Sequence, residues 1–234
     1  MIERLFDWTL AAIKHLKYLY LRIRIHARIR RSAMRRGSMQ DLAVYSTPEF
    51  AASVGVWGVG SVWNEIQFLL INCRGRILDI ACGPCESLVT ARSRLERDVY
   101  GCDISAYLIR RAVEAGAPAS RLTICDATAI PYCDDAFDYS YSIGSLEHFT
   151  EEGITAVVRE THRITRNASF HQVPTSRSGR DEGWIVLNQS YFNNSLEWWL
   201  LKFRETYATV YVLDSSWEDP LSLGKWFVCV RKGA

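Results

Sequence analysis

No run of about 18 uncharged apolar residues, the length a helix needs to cross a bilayer, occurs in the 234 residues. The sequence therefore predicts no membrane span. The N-terminal residues also lack the uninterrupted apolar core of a secretory signal, which predicts a cytoplasmic protein. Cysteine is not even in number: there are seven, and several fall inside strand-like apolar runs. That fits buried thiols in a reducing compartment better than a disulfide framework. One Cys-x-x-Cys pair (Cys82, Cys85) stands without a second, so no structural zinc site is expected. There is no internal repeat. Net charge is only +2, so the chain as a whole is not a polycation. No base-reading motif occurs, and the basic residues are not interleaved with an aromatic stacking platform, so nothing points to nucleic acid.

What charge there is lies unevenly. Residues 1–37 hold ten Lys/Arg against Glu3 and Asp7, while the remainder is net acidic. Residues 1–36 place Leu5, Phe6, Ala12, Ile13, Leu16, Tyr20 and Ile23 at helical spacing, and Gly37-Ser38 breaks the pattern. The reading is a basic amphipathic helical extension over 1–37 on a domain spanning 38–234. Such a helix suits an anionic membrane surface, peripherally, or simply packs on its own domain or on a second subunit.

Residues 38–74 connect the arm to the main domain and hold one probable helix, Val62 to about Ile71. From residue 75 strands and helices alternate. Strands are expected at Arg76–Ile80, Val99–Ile104, Leu122–Cys125, Phe137–Ile143 and Ala168–Val173. Helices are expected at about Glu86–Glu96, Ser105–Ala115 and Glu151–Thr165. This rhythm predicts an α/β fold with a mostly parallel, Rossmann-like sheet covered by helices on both faces. A helix follows at Ser195–Phe203. Tyr207–Leu213 and Lys225–Val230, joined by the loop Asp214–Gly224, must then run antiparallel, because a parallel return needs a longer crossover.

In open α/β sheets ligands bind beyond the carboxyl ends of the strands. The first such end reads Asp79-Ile80-Ala81-Cys82-Gly83-Pro84-Cys85, a turn of small residues that lets backbone approach a ligand. Asp103 closes the second strand 20 residues after Gly83. A carboxylate there can accept both hydroxyl hydrogens of a ribose; equally, Asp103 or Ser105 can cap the next helix. Asp126 follows the third strand, where it can accept from an adenine amino group or simply form a turn.

These residues resemble the S-adenosylmethionine (SAM) methyltransferases of the small-molecule and quinone-biosynthesis type, whose class I fold ends in an antiparallel hairpin. The resemblance covers roughly residues 75–173. Its most specific segment is Ile130-Pro131-Tyr132-Cys133-Asp134-Asp135-Ala136-Phe137-Asp138, similar to the family's Leu-Pro-Phe-x-Asp-x-x-Phe-Asp, followed by Leu146-Glu147-His148. The resemblance implies SAM as cofactor. Asp79, Ala81, Cys82 and Gly83 would line its methionine portion, Asp103 would hold the ribose, and Ile104 would cover one face of adenine. Asp126 and Ala127 would bond the adenine edge, and Ile143 and Gly144 would floor the pocket. The family prefers glycine where Ala81 and Cys85 stand here. Cys85 is bulkier and would tighten the pocket, so a non-catalytic SAM-binding scaffold recruited to a membrane or protein partner is the alternative to an enzyme.

Cys82-Gly83-Pro84-Cys85 also spells the thioredoxin motif, and thiol–disulfide exchange is the remote alternative. The Trp that precedes that motif in thioredoxins is replaced by Ala81, and Asp103 and Asp126 have no role there. For methyl transfer, His148 after the fourth strand is the first candidate for a general base, or else it orients the helix starting near Glu151. His171 comes second, and His162 reads as structural. The loop Pro174–Tyr191, with Arg177, Arg180, Trp184 and Gln189, suggests a small-molecule or a sugar- or lipid-linked acceptor.

Overall fold

The computed structural model describes Leu16, Tyr20 and residues 42–54, 61–89, 97–185 and 189–231. The amphipathic helix expected over residues 1–36 thus lies outside the described residues, except for Leu16 and Tyr20, which are helical and exposed. A 3-10 turn at Leu42–Ser46 leads into helix α1 (Pro48–Val54). Helix α2 (Ser61–Leu69) precedes strand β1 (Arg76–Ile80). Then come α3 (Glu86–Val89), β2 (Asp98–Asp103), α4 (Ala106–Glu114), β3 (Leu122–Ile124), β4 (Phe137–Ile143), α5 (Glu151–Ile164) and β5 (Thr165–Ser176). The chain ends with a two-residue strand pair, β6 (Trp184–Ile185) and β7 (Tyr191–Phe192), then α6 (Leu196–Arg204), β8 (Thr209–Glu218) and β9 (Ser222–Val230).

The large sheet has the order β3-β2-β1-β4-β5-β9-β8. Pairs among β1 to β5 are parallel, and β9 runs antiparallel to both of its neighbours. This is the predicted Rossmann-like sheet with its C-terminal antiparallel hairpin. Strand order reverses between β1 and β4, and that switch point opens the crevice that holds the site.

Alternation along the strands sends side chains to two cores. Leu78 and Ile80 of β1, Phe137 of β4 and Phe227 of β9 pack against Ile154, Val157 and Val158 of α5 and Trp199 and Phe203 of α6. Ile77, Tyr141, Phe170 and Trp226 point the other way, against Val62 and Ile66 of α2 and Ile109 and Ala112 of α4. Helices α4, α5 and α6 each begin on a side-chain cap. Ser105 Oγ accepts from Leu108 N–H, Thr150 Oγ1 from Gly153 N–H, and Ser195 Oγ from Trp198 N–H.

The most family-like segment of the sequence acts as a staple. Arg163 of α5 bonds the carboxylates of Glu160 and Asp134 and the carbonyls of Ile130 and Tyr132. Asp138 accepts from Arg76 N–H and Arg166. These bonds fix the entry to β4 and leave the strand's far end to aim residues 143–148 at the crevice.

Several boundaries differ from the sequence reading. β5 starts at Thr165, directly after α5, and runs to Ser176, because β9 pairs with it along nine residues from Ala168 to Ser176. α3 is described for four residues, and residues 90–96 of the expected helix lie outside the described residues. α1 and the β6–β7 pair were not expected. Both are short, and neither carries a periodic pattern of its own.

Candidate active site

Two cavities open along the carboxyl ends of β1, β2, β3 and β4. The larger has a volume of about 390 Å³ and the smaller about 170 Å³. Both are lined by Ala81, Asp103, Ile104 and Phe149, which form the neck between them. Together they fall in the range of small-molecule sites, roughly 300 Å³ upward.

Every predicted cofactor residue lines one of them. Asp79, Cys82, Gly83, Ile143 and Gly144 face the larger cavity, Asp126 and Ala127 the smaller, and Ala81, Asp103 and Ile104 both. Asp103 Oδ2 accepts from Gly83 N–H at 2.8 Å, and Oδ1 accepts from Ser105 N–H at 2.8 Å. The helix cap is therefore Ser105, and Asp103 instead ties the β1 turn to the end of β2. Burial pushes its carboxyl up, against those two N–H bonds. Asp126 forms a turn: Oδ1 accepts from both Thr128 N–H and Thr128 Oγ at 2.8 Å.

Asp79 is buried on the α2–α4 face. Its Oδ2 accepts from Tyr141 Oη at 2.8 Å and Ser87 Oγ at 2.9 Å. Burial raises its pKa to about 7, against these two bonds and with help from the Asp103 charge. A carboxyl poised there ionises readily when a cation arrives.

The β1 turn is left-handed at three alternate residues, Ala81 (φ 54°), Gly83 (φ 55°) and Cys85 (φ 52°). This backbone explains why glycine suits positions 81 and 85, and each non-glycine residue there costs about 1–2 kcal/mol. Cys82 and Cys85 are buried, and both sulfurs crowd the space beside Gly101. The Cys82 thiol is raised well above its ordinary range, first by its bond with Cys85 and then by burial. Disulfide exchange requires the reverse.

Beyond β4, Leu146–His148 forms a 3-10 turn that places Glu147 and His148 on the larger cavity. His148 Nδ1 donates to the Ser190 carbonyl at 2.8 Å, which leaves Nε2 as the ring acceptor, 3.7 Å from Glu147 Oε1. Burial lowers the His148 pKa to about 4 and raises that of Glu147 to about 8. Glu147 Oε2 is buried with no hydrogen-bond partner among the described residues. An orphan buried carboxyl oxygen is costly and marks a place built for something else.

Glu147 received no role in the sequence reading; only its place in the Leu-Glu-His segment hinted at one. Tyr45 and Phe50 from the connecting region, with Trp217 and Asp219 from the β8–β9 hairpin, complete the wall and were also missed. Of the loop predicted to bind acceptor, Gln189 and Tyr191 line the cavity. Arg177 does not: it bonds Glu218 and the Asp219 carbonyl. Trp184 packs edge-on against Phe192, and Arg180 lines neither cavity. His171 is fully buried between Ser142 and Ser169 and lines neither cavity, so its role is structural. His162 packs against Tyr207.

A family model described as a methyltransferase domain matches residues 77–168. The O-methyltransferase rstn1 of Aspergillus nomiae is 29% identical over 157 residues, which is 55% of this chain and 69% of that protein. A SAM-dependent methyltransferase of Thermotoga maritima, described as a possible histamine N-methyltransferase, matches with a TM-score of 0.58 at 14% identity, over 81% of this chain and 99% of its own. The magnesium protoporphyrin IX methyltransferase of Synechocystis PCC 6803, with bound SAM, matches with a TM-score of 0.55 at 14% identity, over 73% of this chain and 78% of its own. At such identities the two structures speak to the fold. Residues 77–168 thus match a methyltransferase domain by sequence, and the sheet has the fold of SAM-dependent methyltransferases. The sequence matches support methyl transfer as the activity, and the fold is the one that carries SAM in the Synechocystis enzyme.

The residues present fit that cofactor. The neck at Asp103 joins a narrow cavity to a wide one, and Ala81, Gly83 and Gly144 keep the wide one open beside it.

Proposed function

We propose that this enzyme methylates a hydroxyl oxygen of a small acceptor, free or carried on a sugar or lipid, held beside Glu147. The observation that carries the reading is the orphan Oε2 of Glu147, buried at the wall of the larger cavity next to His148. The likeness to an O-methyltransferase supports oxygen as the accepting atom.

When bound, SAM supplies a methyl group already activated by the sulfonium charge, so the protein's work is alignment, exclusion of water and proton handling. In this reading Asp103 accepts from the ribose hydroxyls. Asp126 and Ala127 meet the adenine edge while Ile104 covers its face. The Asp79–Gly83 segment holds the amino-acid end, with Ile143 and Gly144 beneath. Glu147 and His148 together hold one proton near neutral pH, on the carboxyl, because burial separates their pKa values in that direction. Once Glu147 is ionised it is the stronger base of the two, and its pKa lies close to working pH, where a general base is most effective. His148, held through Nδ1 by the Ser190 carbonyl, lies beside the Glu147 carboxyl, and the hydroxyl's one hydrogen goes to Glu147. Tyr45, Tyr191 and Trp217 supply apolar walls.

The basic arm over residues 1–36 is assigned in the same reading to an anionic membrane surface, with the enzyme cytoplasmic and peripheral. Among the described residues no helix is long and apolar enough to cross a membrane.

Labelled SAM incubated with the enzyme and extracts enriched in small hydroxylated compounds, glycolipids, protein or RNA tests the acceptor. Label is expected in a small or lipid-linked hydroxyl compound. Label confined to RNA or protein contradicts the reading.

A further inference from the structure

We infer that Cys125 and Cys102 form an oxidation site in the wall of the smaller cavity, where a hydroperoxide joins the two thiols as a disulfide and lowers the affinity for SAM. The effect on affinity rests on the reading that adenine occupies this cavity.

Both residues line the cavity. Cys102 lies within β2 and is fully buried, while Cys125 follows β3 and is only half-buried. Thr123 is the register partner of Cys102, so Cys125, two residues on, faces the same side of the sheet, and both side chains pack into one core. Cys125 N–H also donates to the Asp103 carbonyl at 3.0 Å, which holds the backbone after β3 against the end of β2. The neighbouring Cys102 thiol draws the Cys125 thiol below its ordinary range, against burial and the charges of Asp126, Asp103 and Glu160. A reachable thiol with thiolate character beside a sheltered second thiol is the usual arrangement of a peroxide-sensitive pair. The Cys82–Cys85 pair differs: both sulfurs are buried and the Cys82 thiol is shifted upward.

The chemistry balances in two steps. The Cys125 thiolate attacks the outer oxygen of the hydroperoxide. The O–O bond breaks, Cys125 becomes a sulfenic acid, and the remaining oxygen leaves as hydroxide or alkoxide and takes up a proton. The Cys102 thiol then attacks the oxidised sulfur, the S–S bond forms, and the sulfenic hydroxyl leaves with the Cys102 proton as water. Two electrons pass from the sulfurs to the peroxide. Closing an S–S bond of about 2.05 Å draws Cys125 toward β2. Asp126 and Ala127 follow it directly in the chain, so the wall assigned to the adenine edge moves with it.

The test treats the full chain with hydrogen peroxide. It measures the Cys102–Cys125 cross-link by peptide mass spectrometry and the affinity for S-adenosylhomocysteine (SAH), the demethylated product, by calorimetry. The cross-link is expected to form before general oxidation, to lower SAH affinity at least tenfold, and to reverse with dithiothreitol. In Cys102→Ser the sulfenic acid on Cys125 should persist and react with dimedone. Saturating SAH should slow the cross-link at least tenfold. Oxidation of exposed Cys133 with no Cys102–Cys125 cross-link overturns the inference, and so does a cross-link that leaves SAH affinity unchanged. A cross-link that forms equally fast under saturating SAH, yet still weakens SAH, upholds the oxidation site and counts against adenine in this cavity.

Discussion

The two ends of the site are assembled in different ways. The end proposed to hold the nucleoside is built mainly from the tips of three adjacent parallel strands, β1, β2 and β3, with residues between positions 81 and 128, and Phe149, Thr150 and Gly153 close it. The acceptor end gathers Tyr45, Glu147, Tyr191 and Trp217 from segments far apart in the chain. A sheet edge repeats its geometry wherever the β-α-β rhythm occurs, so the first end follows from topology. The second depends on how a hairpin, a short turn and an N-terminal helix happen to meet, and each family member can change it without disturbing the sheet.

The first way to sharpen this contrast is to remove the acid at the acceptor end. Glu147→Gln is expected to lower kcat/KM about 100-fold for the acceptor found with labelled SAM, within the usual effect of a general base. SAH affinity should stay within about twofold. Because the base acts when ionised, wild-type kcat/KM should rise with pH through about 8, and the variant should lose that rise. An unchanged pH profile would remove Glu147 from proton transfer.

A smaller effect is expected from packing beneath the nucleoside end. A methyl added at Gly101 would sit 2.8 Å from the sulfurs of both Cys82 and Cys85 and 3.1 Å from the Leu122 side chain. Gly101→Ala should therefore destabilise the fold by about 1–3 kcal/mol, read as a lower midpoint in urea. A neutral result would mean that the β1 turn and β2 are not packed as closely as described.

The smallest expected effect is a gain. Ala81 carries φ 54°, and Ala81→Gly relieves that strain while adding freedom to the unfolded chain. The net expectation is a stabilisation of about 0.5–1 kcal/mol. Destabilisation would show that the Ala81 methyl contributes packing at the neck.

The same contrast explains what was legible in the sequence. The alternating apolar runs located all five parallel strands, and the chain length between the last two strands dictated their antiparallel pairing. Asp103 was legible because strand, turn and acid keep a fixed spacing. What the sequence did not reveal was its second job, holding Gly83 N–H. Glu147 was in view but had no sequence signal of burial, since an acid in a turn is ordinarily solvated. Arg177 and Arg180 were read as part of a loop that suits a small-molecule or a sugar- or lipid-linked acceptor. Yet Arg177 spends its donors on Glu218 and the Asp219 carbonyl, a pairing across 41 residues that no local pattern announces. The preference for glycine at positions 81 and 85 became intelligible only through the backbone angles.

The most direct measurement is a crystal structure of the enzyme grown with SAH. The ribose hydroxyls should lie within hydrogen-bond distance of Asp103, with adenine in the smaller cavity beside Asp126 and the sulfur in the larger cavity on the side of Glu147. A nucleoside bound away from Asp103, or a sulfur walled off from Glu147 and His148, would contradict this account.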